Sequence, residues 1–222
     1  MDRRIAGELG LASFVLIVAG ALVSPPLWNT TATTASGADV TAYLQDHRGR
    51  ILAGVFVYSL AMMLFLCFAA ALWTWLRRHE PEPRVLSNTF AFGALALVVL
   101  VIAGFIPAAV GAYREQPPEL AVALRDLTFG LLALSGIPTA VALGAYAALV
   151  WRYGPLPAWT AWLAAVGAVA HVVIAASFLR RSGFLSLEGD VIVFIPATLF
   201  AWIFAVGAAL VAGASRRPPA PA

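Results

Sequence analysis

Long apolar stretches alternate with short charged segments along the whole chain. A membrane-spanning helix needs about 20 apolar residues, because a helix rises about 1.5 Å per residue and the hydrocarbon core is about 30 Å thick. The stretches that meet this need are about 5–24, 51–76, 87–112, 127–150, 158–179 and 191–213. The pattern predicts an all-α membrane protein, a six-transmembrane-helix bundle forming one domain over 1–215, with a disordered tail at 216–222.

The longest connection, residues 25–50, separates the first two predicted spans. Part of it repeats the i, i+3, i+4, i+7 spacing of an amphipathic helix, at Val40, Tyr43, Leu44 and His47. We therefore expect a short amphipathic helix over 38–50 that lies on the outer surface of the membrane and continues directly into the second span.

The fourth predicted span is expected to begin before the membrane. Pro117-Pro118-Glu119 combines proline with an acidic residue, which favours a helix start. One unbroken helix is therefore predicted from about 118 to 150. Its first two turns, which carry Arg125 and Asp126, would stand above the hydrocarbon.

Ile-Pro pairs recur in three predicted spans, at Pro107, Pro138 and Pro196. Each proline removes one backbone donor and frees a carbonyl one turn earlier, and that carbonyl needs a partner in hydrocarbon. Two interpretations remain open: ordinary kinks satisfied by neighbouring hydroxyl groups, or kinked helices around a cavity that opens outward. Pairs of small residues such as Ala140 and Gly144 are expected at helix contacts, because close packing holds helices together in lipid.

The composition excludes an ordinary soluble domain. The chain is 62% apolar and 11% charged, with a mean hydropathy of +0.89, whereas soluble domains carry roughly 25% charged residues. The single cysteine, Cys67, excludes an intrachain disulfide. The net charge of +3 comes from short arginine clusters between apolar stretches, so no nucleic-acid partner is predicted.

The arginine distribution predicts that both termini are cytoplasmic. In that orientation the cytoplasmic side holds eight arginines and four acids, and the outer side holds six arginines and seven acids. Trp28 and Tyr113 then fall at the outer boundary, which amphipathic rings prefer. The first stretch also resembles a secretory signal peptide ending near Ser24. Its apolar run of about 18 residues favours a retained helix, with cleavage as the alternative.

His171 is the ionisable side chain that lies deepest in a predicted span, 13 residues into the fifth. Gly167, Ala168 and Ala175 share its helix face, so the ring should point into the bundle. An ionisable residue inside the membrane is a functional candidate. The other interpretation is a neutral histidine bonded to a freed carbonyl or a hydroxyl, since a neutral ring is buried more cheaply than a charge.

Other polar side chains fall at similar depth and, with His171, predict a pocket that opens outward. The expected ligand-binding side chains are Tyr58, Ser59, Ser135, Thr139, Ser177 and Thr198. Asp126 and Asp190 would assist His171 as catalytic groups, or both are solvated acids at helix starts. Hydrogen bonds within packed helices explain the hydroxyl groups equally well.

No metal or cofactor site is predicted. One histidine in the membrane cannot supply a bis-histidine site, and no glycine-rich phosphate loop follows a strand. The chain has no lysine for a retinal Schiff base. The predicted interior also lacks the carboxylates on which coupled transport depends.

Two segments carry a family resemblance. They are Ala42-Tyr43-Leu44-Gln45-Asp46-His47-Arg48-Gly49-Arg50, which leads into an apolar span, and Tyr153-Gly154-Pro155-Leu156-Pro157-Ala158-Trp159, which opens the fifth. Together they resemble an uncharacterised group of small multipass membrane proteins common in actinobacteria. The resemblance covers most of the chain, implies a bacterial plasma membrane, and brings no assigned activity.

Three functional hypotheses follow. The first is a pocket that binds or transports a small lipophilic or amphipathic molecule. The second is a membrane-embedded enzyme acting on a lipid or isoprenoid, with His171 as general acid or base; the lack of a second deep titratable group counts against it. The third is a non-catalytic assembly partner of another membrane protein. Membrane lipids and a second copy of the chain are further expected partners.

Overall fold

The computed structural model describes residues 3–179, 183–186 and 190–214, and every regular element among them is helical. The α-helices are α1 Arg3–Val23, α2 Gly37–Asp46, α3 Arg48–Leu76, α4 Val85–Tyr113, α5 Pro118–Leu134, α6 Gly136–Tyr153, α7 Ala158–Ala175 and α8 Asp190–Ala214. Short 3-10 turns follow α1 at Pro25–Leu27 and α7 at Ala176–Leu179. The predicted disordered tail, 216–222, lies outside the described residues.

Six helical segments in the described ranges are long and apolar enough to cross a membrane: α1, α3, α4, α5 with α6, α7 and α8. The predicted all-α, six-span architecture is confirmed. Six crossings bring both ends of the described chain to one face, which we call the terminal face. We call the opposite face, which carries residues 24–47, the loop face.

The fourth span consists of two helices, so the prediction of one unbroken helix was wrong at Ser135. The Ser135 hydroxyl donates to the Leu132 carbonyl at 2.6 Å, the acceptor that the Gly136 N–H would use in a continuous helix. Pro138 then lies in the first turn of α6, where a missing N–H costs little. Serine, glycine and proline together therefore start a new helix here.

The amphipathic helix predicted in the first connection exists as α2, but it stops at Asp46 and does not run directly into α3. A capping box between Ser36 and Asp39 begins the helix. Its apolar side, with Val40 and Leu44 buried, packs against α5 and α4. The helix is therefore part of the bundle's cover at the loop face.

The fifth span differs slightly from the predicted range of 158–179, because its α-helix, α7, stops at Ala175 and the chain continues as a 3-10 turn.

Close backbone approach holds α1 against α8 and α6 against α4. A Cβ added to Gly7 would lie 2.7 Å from the Gly207 carbonyl, and one added to Gly93 would lie 2.9 Å from the Pro138 carbonyl. Small residues thus allow packing where lipid provides little hydrophobic drive. The predicted contact at Gly144 was wrong, because a Cβ there would meet nothing within 4 Å.

An aromatic cluster fills the bundle toward the terminal face. Trp202 of α8 is 1% exposed and lies 6.1 Å from Phe68 of α3, 6.2 Å from Phe90 of α4 and 5.0 Å from Tyr146 of α6, measured between ring centroids. The Tyr146 hydroxyl and the Thr160 hydroxyl are 2.8 Å apart, which satisfies both buried groups. Four helices are therefore joined by large rings in this half of the bundle.

Glu80, in the connection between α3 and α4, caps α4 from outside the helix. Its two carboxylate oxygens accept from the backbone N–H groups of Leu86 and Ser87, each at 2.8 Å. Burial raises the pKa of Glu80, but these hydrogen bonds outweigh it and lower the pKa below its usual value. A charged carboxylate at a helix N-terminus is the form that this cap requires.

We expect Glu80→Gln to cost about 1–2 kcal/mol of stability at neutral pH, as for other lost helix caps. The wild-type advantage should be complete above the usual glutamate pKa of about 4.3 and should vanish as the pH falls through the lower folded value. Unfolding in detergent at several pH values measures this. Glu82→Gln is the matched control, because the Glu82 side chain is 70% exposed. A loss at Glu80 that stays constant across that pH range would contradict the prediction.

Candidate functional site

A cavity of about 60 Å³ lies inside the half of the bundle near the loop face. Its wall comes from every span except α1, with Trp28 added from the connection after α1. The apolar part of the wall is Met62, Leu97, Val101, Phe105, Leu132, Ile174, Ile192, Pro196, Leu199 and Phe200. Besides Trp28, the described side chains with polar atoms are Tyr58, Ser135, Thr139 and His171, so no carboxylate or guanidinium of the described residues lines the cavity.

The cavity lies between two separate groups of buried apolar side chains. The main core joins all the spans, and a smaller cluster joins α5, α7 and α8 near the loop face. Ile174 and Ile192 of the smaller cluster line the cavity together with Leu97 and Leu199 of the main core. The wall also includes Pro196 inside α8 and Ser135 at the break between α5 and α6. Interrupted helices pack less regularly than straight ones, which accounts for a gap at this level.

Four of the polar residues predicted from the sequence meet in this wall: Tyr58, Ser135, Thr139 and His171. They come from α3, the α5–α6 break, α6 and α7. The sequence marked them only as polar residues at similar depth, and the helix packing brings them around one space.

The remaining predicted ligand-binding residues do not line the cavity. The Ser59 hydroxyl donates to the Val55 carbonyl at 2.8 Å, and the Thr198 hydroxyl donates to the Ile195 carbonyl at 2.7 Å. Each bond lies within its own helix, as expected for packing hydroxyls. Ser177 is fully buried, and its hydroxyl has no hydrogen-bond partner in the described part of the chain.

The two predicted catalytic acids are not brought to His171. Asp126 lies on α5 near the loop face, where its carboxylate accepts from Arg125 at 2.8 Å and its side chain is 52% exposed. Asp126 is not part of the cavity wall. Asp190 is the first residue of α8, but its side chain lies outside what the structure describes.

His171 lies one turn before the end of α7 and is 4% exposed. Its Nδ1 is 2.8 Å from the carbonyl oxygen of Gly167, one turn earlier in the same helix. Gly167 also allows close packing, because a Cβ there would lie 2.9 Å from Leu143. The imidazole is thus held by its own helix, with one edge toward the bundle.

Trp28 is a part of the wall that sequence reasoning missed. It was expected at the membrane boundary, but its indole Nε1 donates to the Tyr58 hydroxyl at 2.8 Å and its ring meets the Tyr58 ring edge-on at 5.4 Å. Tyr58 in turn stacks on Phe105, with centroids 5.5 Å apart. The one local signal for Trp28 in the sequence is that it closely follows Pro25-Pro26, because these prolines turn the chain back across α3.

Arg125 is the other residue that sequence reasoning missed. It was expected to stand above the hydrocarbon, but its side chain is only 4% exposed. The guanidinium donates to the Thr31 hydroxyl at 3.3 Å and to the carbonyls of Ala32 at 2.6 Å and Thr33 at 3.3 Å. Its Nε and Nη2 donate to Asp126. All five N–H groups are therefore used, and they fasten the connection after α1 to α5. A second void, of about 30 Å³, lies beside Arg125 under this connection.

The described residues contain no group of three histidine, cysteine, aspartate or glutamate side chains that could hold a metal. Six apolar spans, five of which line a small and largely apolar cavity, define a multipass α-helical membrane protein. The chain belongs to the family described as Domain of unknown function (DUF4386), which matches residues 5–208. No curated protein and no solved structure matches it.

Proposed function

We propose that this protein binds a small lipophilic or amphipathic molecule in the cavity near the loop face. The observation that carries the proposal is a mostly apolar wall with a few polar groups gathered on one level, which is the usual make-up of a ligand pocket. The aromatic cluster around Trp202 lies one helical turn beyond Leu199 toward the terminal face. Its dense packing supports a binding pocket that is closed on that side.

Binding is favoured over catalysis by the distribution of charged groups. An acid–base mechanism is served best by two titratable groups with separated pKa values. Asp126 is paired with Arg125 away from the cavity, and none of the acids that the structure describes lines the wall. If His171 instead forms a hydrogen bond to a bound ligand, it needs no second titratable group beside it.

We propose further that the protein resides in a bacterial plasma membrane with both termini in the cytoplasm. Support comes from the arginine excess on the terminal face and from the resemblance to actinobacterial membrane proteins. Protease treatment of intact spheroplasts that express a C-terminally tagged protein tests the orientation, and digestion of the tag from outside would contradict it.

Filling the cavity should abolish binding without changing the surface that faces lipid. Val101 lines the cavity, whereas Val99 on the same helix is 57% exposed. We expect Val101→Phe to remove cavity labelling by hexadecanol that carries a photoreactive diazirine in its chain, and Val99→Phe to leave it intact. The protein is held in phosphatidylcholine nanodiscs, and labelled residues are mapped by mass spectrometry.

Wild-type labelling is expected at the cavity wall, for example at Met62 and Leu199. Overpacking costs about 1–3 kcal/mol, so thermal unfolding must show that both variants are folded. Labelling confined to lipid-exposed side chains such as Val99, in all three proteins, would overturn the proposed function.

A further inference from the structure

The hydrogen-bonding capacity of the cavity wall follows from the bonds already made within it. A carbonyl oxygen only accepts, so the contact between His171 Nδ1 and the Gly167 carbonyl places the ring proton on Nδ1. Among the described residues no acid lines the cavity to balance a charged ring in these apolar surroundings, which favours the neutral form. Nε2 of the neutral ring then carries a lone pair and can only accept.

Nε2 has no hydrogen-bond partner in the described ranges. His171 is 4% exposed, so a partner for Nε2 has to come from inside the bundle rather than from bulk solvent. His171 lines the cavity and its Nδ1 is turned to the Gly167 carbonyl of its own helix, so we take the cavity as the space that Nε2 faces. It is an acceptor that nothing in the described protein satisfies.

The hydroxyl groups of the wall are mostly committed as donors. Ser135 donates to the Leu132 carbonyl at 2.6 Å, and Thr139 donates to the Ser135 carbonyl at 2.7 Å. Toward a ligand, these two oxygens can only accept. The Tyr58 oxygen accepts from Trp28, and its own O–H has no acceptor among the described residues. The described part of the wall therefore offers several acceptors and a single O–H donor.

We propose that the cavity selects an apolar chain that ends in a hydroxyl group, and this inference rests on the proposed function. The ligand's O–H donates to His171 Nε2, and its oxygen accepts from the Tyr58 hydroxyl. A cavity of about 60 Å³ has room for about four water-sized groups, so it takes the hydroxyl end while the chain leaves between the helices. An ether or ester of the same chain has no donor and leaves Nε2 unpaired inside an apolar site.

The test is a competition series on the wild-type protein in phosphatidylcholine nanodiscs, labelled with the diazirine-bearing hexadecanol. Hexadecanol, hexadecyl methyl ether and hexadecane are added as competitors. We expect hexadecanol to displace the probe from the cavity residues at a concentration about tenfold below that of the ether, because leaving a buried acceptor unpaired lowers affinity by about that order. The ether is the matched control, since its oxygen can still accept from Tyr58.

Each other outcome decides a different question. Equal displacement by all three compounds overturns the hydroxyl selection and leaves the proposed function standing. Equal displacement by the alcohol and the ether, with the alkane weaker, assigns the polar contact to Tyr58 and also overturns it. Failure of the probe to label the cavity at all overturns the proposed function itself.

Two variants locate the selectivity. His171→Phe keeps an apolar ring in place and should erase the preference for the alcohol over the ether while the probe still labels the cavity. Tyr58→Phe should weaken the alcohol and the ether together and keep their ratio. A preference that survives in His171→Phe overturns the assignment, and the wild-type series decides the ligand class even if a variant does not fold.

Discussion

Gly136→Ala is expected to destabilise the bundle by about 2 kcal/mol and to disturb the cavity. A Cβ at this position would lie 2.3 Å from the backbone oxygen of His171 and 2.5 Å from Ile174. The first contact is with backbone, so α6 and α7 must move apart, at a cost near the upper end of the roughly 1–3 kcal/mol for overpacking. Alanine recovers up to about 1 kcal/mol of helix propensity over glycine, which is smaller than the steric cost.

Gly144→Ala is the matched control on the same helix, because nothing lies within 4 Å of a Cβ there. It should be neutral or slightly stabilising, since only the propensity term remains. Unfolding of the wild-type protein and both variants in detergent measures the difference. Photolabelling of the cavity should fall only in Gly136→Ala, because His171 is carried by the displaced helix. Equal stability of the two variants would show that α6 and α7 are not in contact at Gly136.

Arg125→Ala is expected to cost about 3 kcal/mol and to release the connection after α1. The guanidinium is almost fully buried and uses all its donors on Asp126 and on Thr31, Ala32 and Thr33. Removing one partner of a buried ion pair costs about 3–5 kcal/mol, and the lower end applies because the Asp126 carboxylate remains half exposed to solvent. Two backbone carbonyls lose their donor at the same time.

The release should be visible as faster amide hydrogen exchange over residues 24–36, with the rest of the bundle less affected. Trp28 belongs to this stretch, so its hold on Tyr58 should loosen and labelling of the cavity should change. Arg114→Ala removes an exposed arginine from the same face and serves as the control. If exchange over 24–36 rises equally in both variants, the guanidinium of Arg125 does not fasten this connection.

The cavity wall shows how far the polar pattern could lead. His171, Ser135 and Thr139 were recognisable because polar side chains are rare in apolar spans and have to find partners there. Tyr58 and Ser59 are neighbours in the chain, yet only Tyr58 faces the cavity. Successive residues on a helix point about 100° apart, so the rotation of α3 in the bundle decides between them, and no local pattern reports that rotation.

The helix breaks were only partly predictable for a related reason. Pro138 was expected to kink a long helix, but the side-chain bond from Ser135 to Leu132 ends α5 four residues earlier and gives the proline a harmless place in the first turn of α6. Both outcomes satisfy the local rules for proline. In the structure, where α5 ends and α6 begins as a separate helix, Gly136 packs closely against α7.

The number of spans, their approximate ends and the presence of a loop-face helix were determined by the chain's own apolar pattern, because hydrocarbon thickness sets a length that can be read locally. The partners across the bundle were decided only by the tertiary structure. Arg125 and Thr31, or Trp28 and Tyr58, are far apart in sequence and meet through helix rotation and loop return. The same packing kept Asp126 out of the cavity wall and placed His171 in it, because the position of a binding group depends on contacts between helices rather than within them.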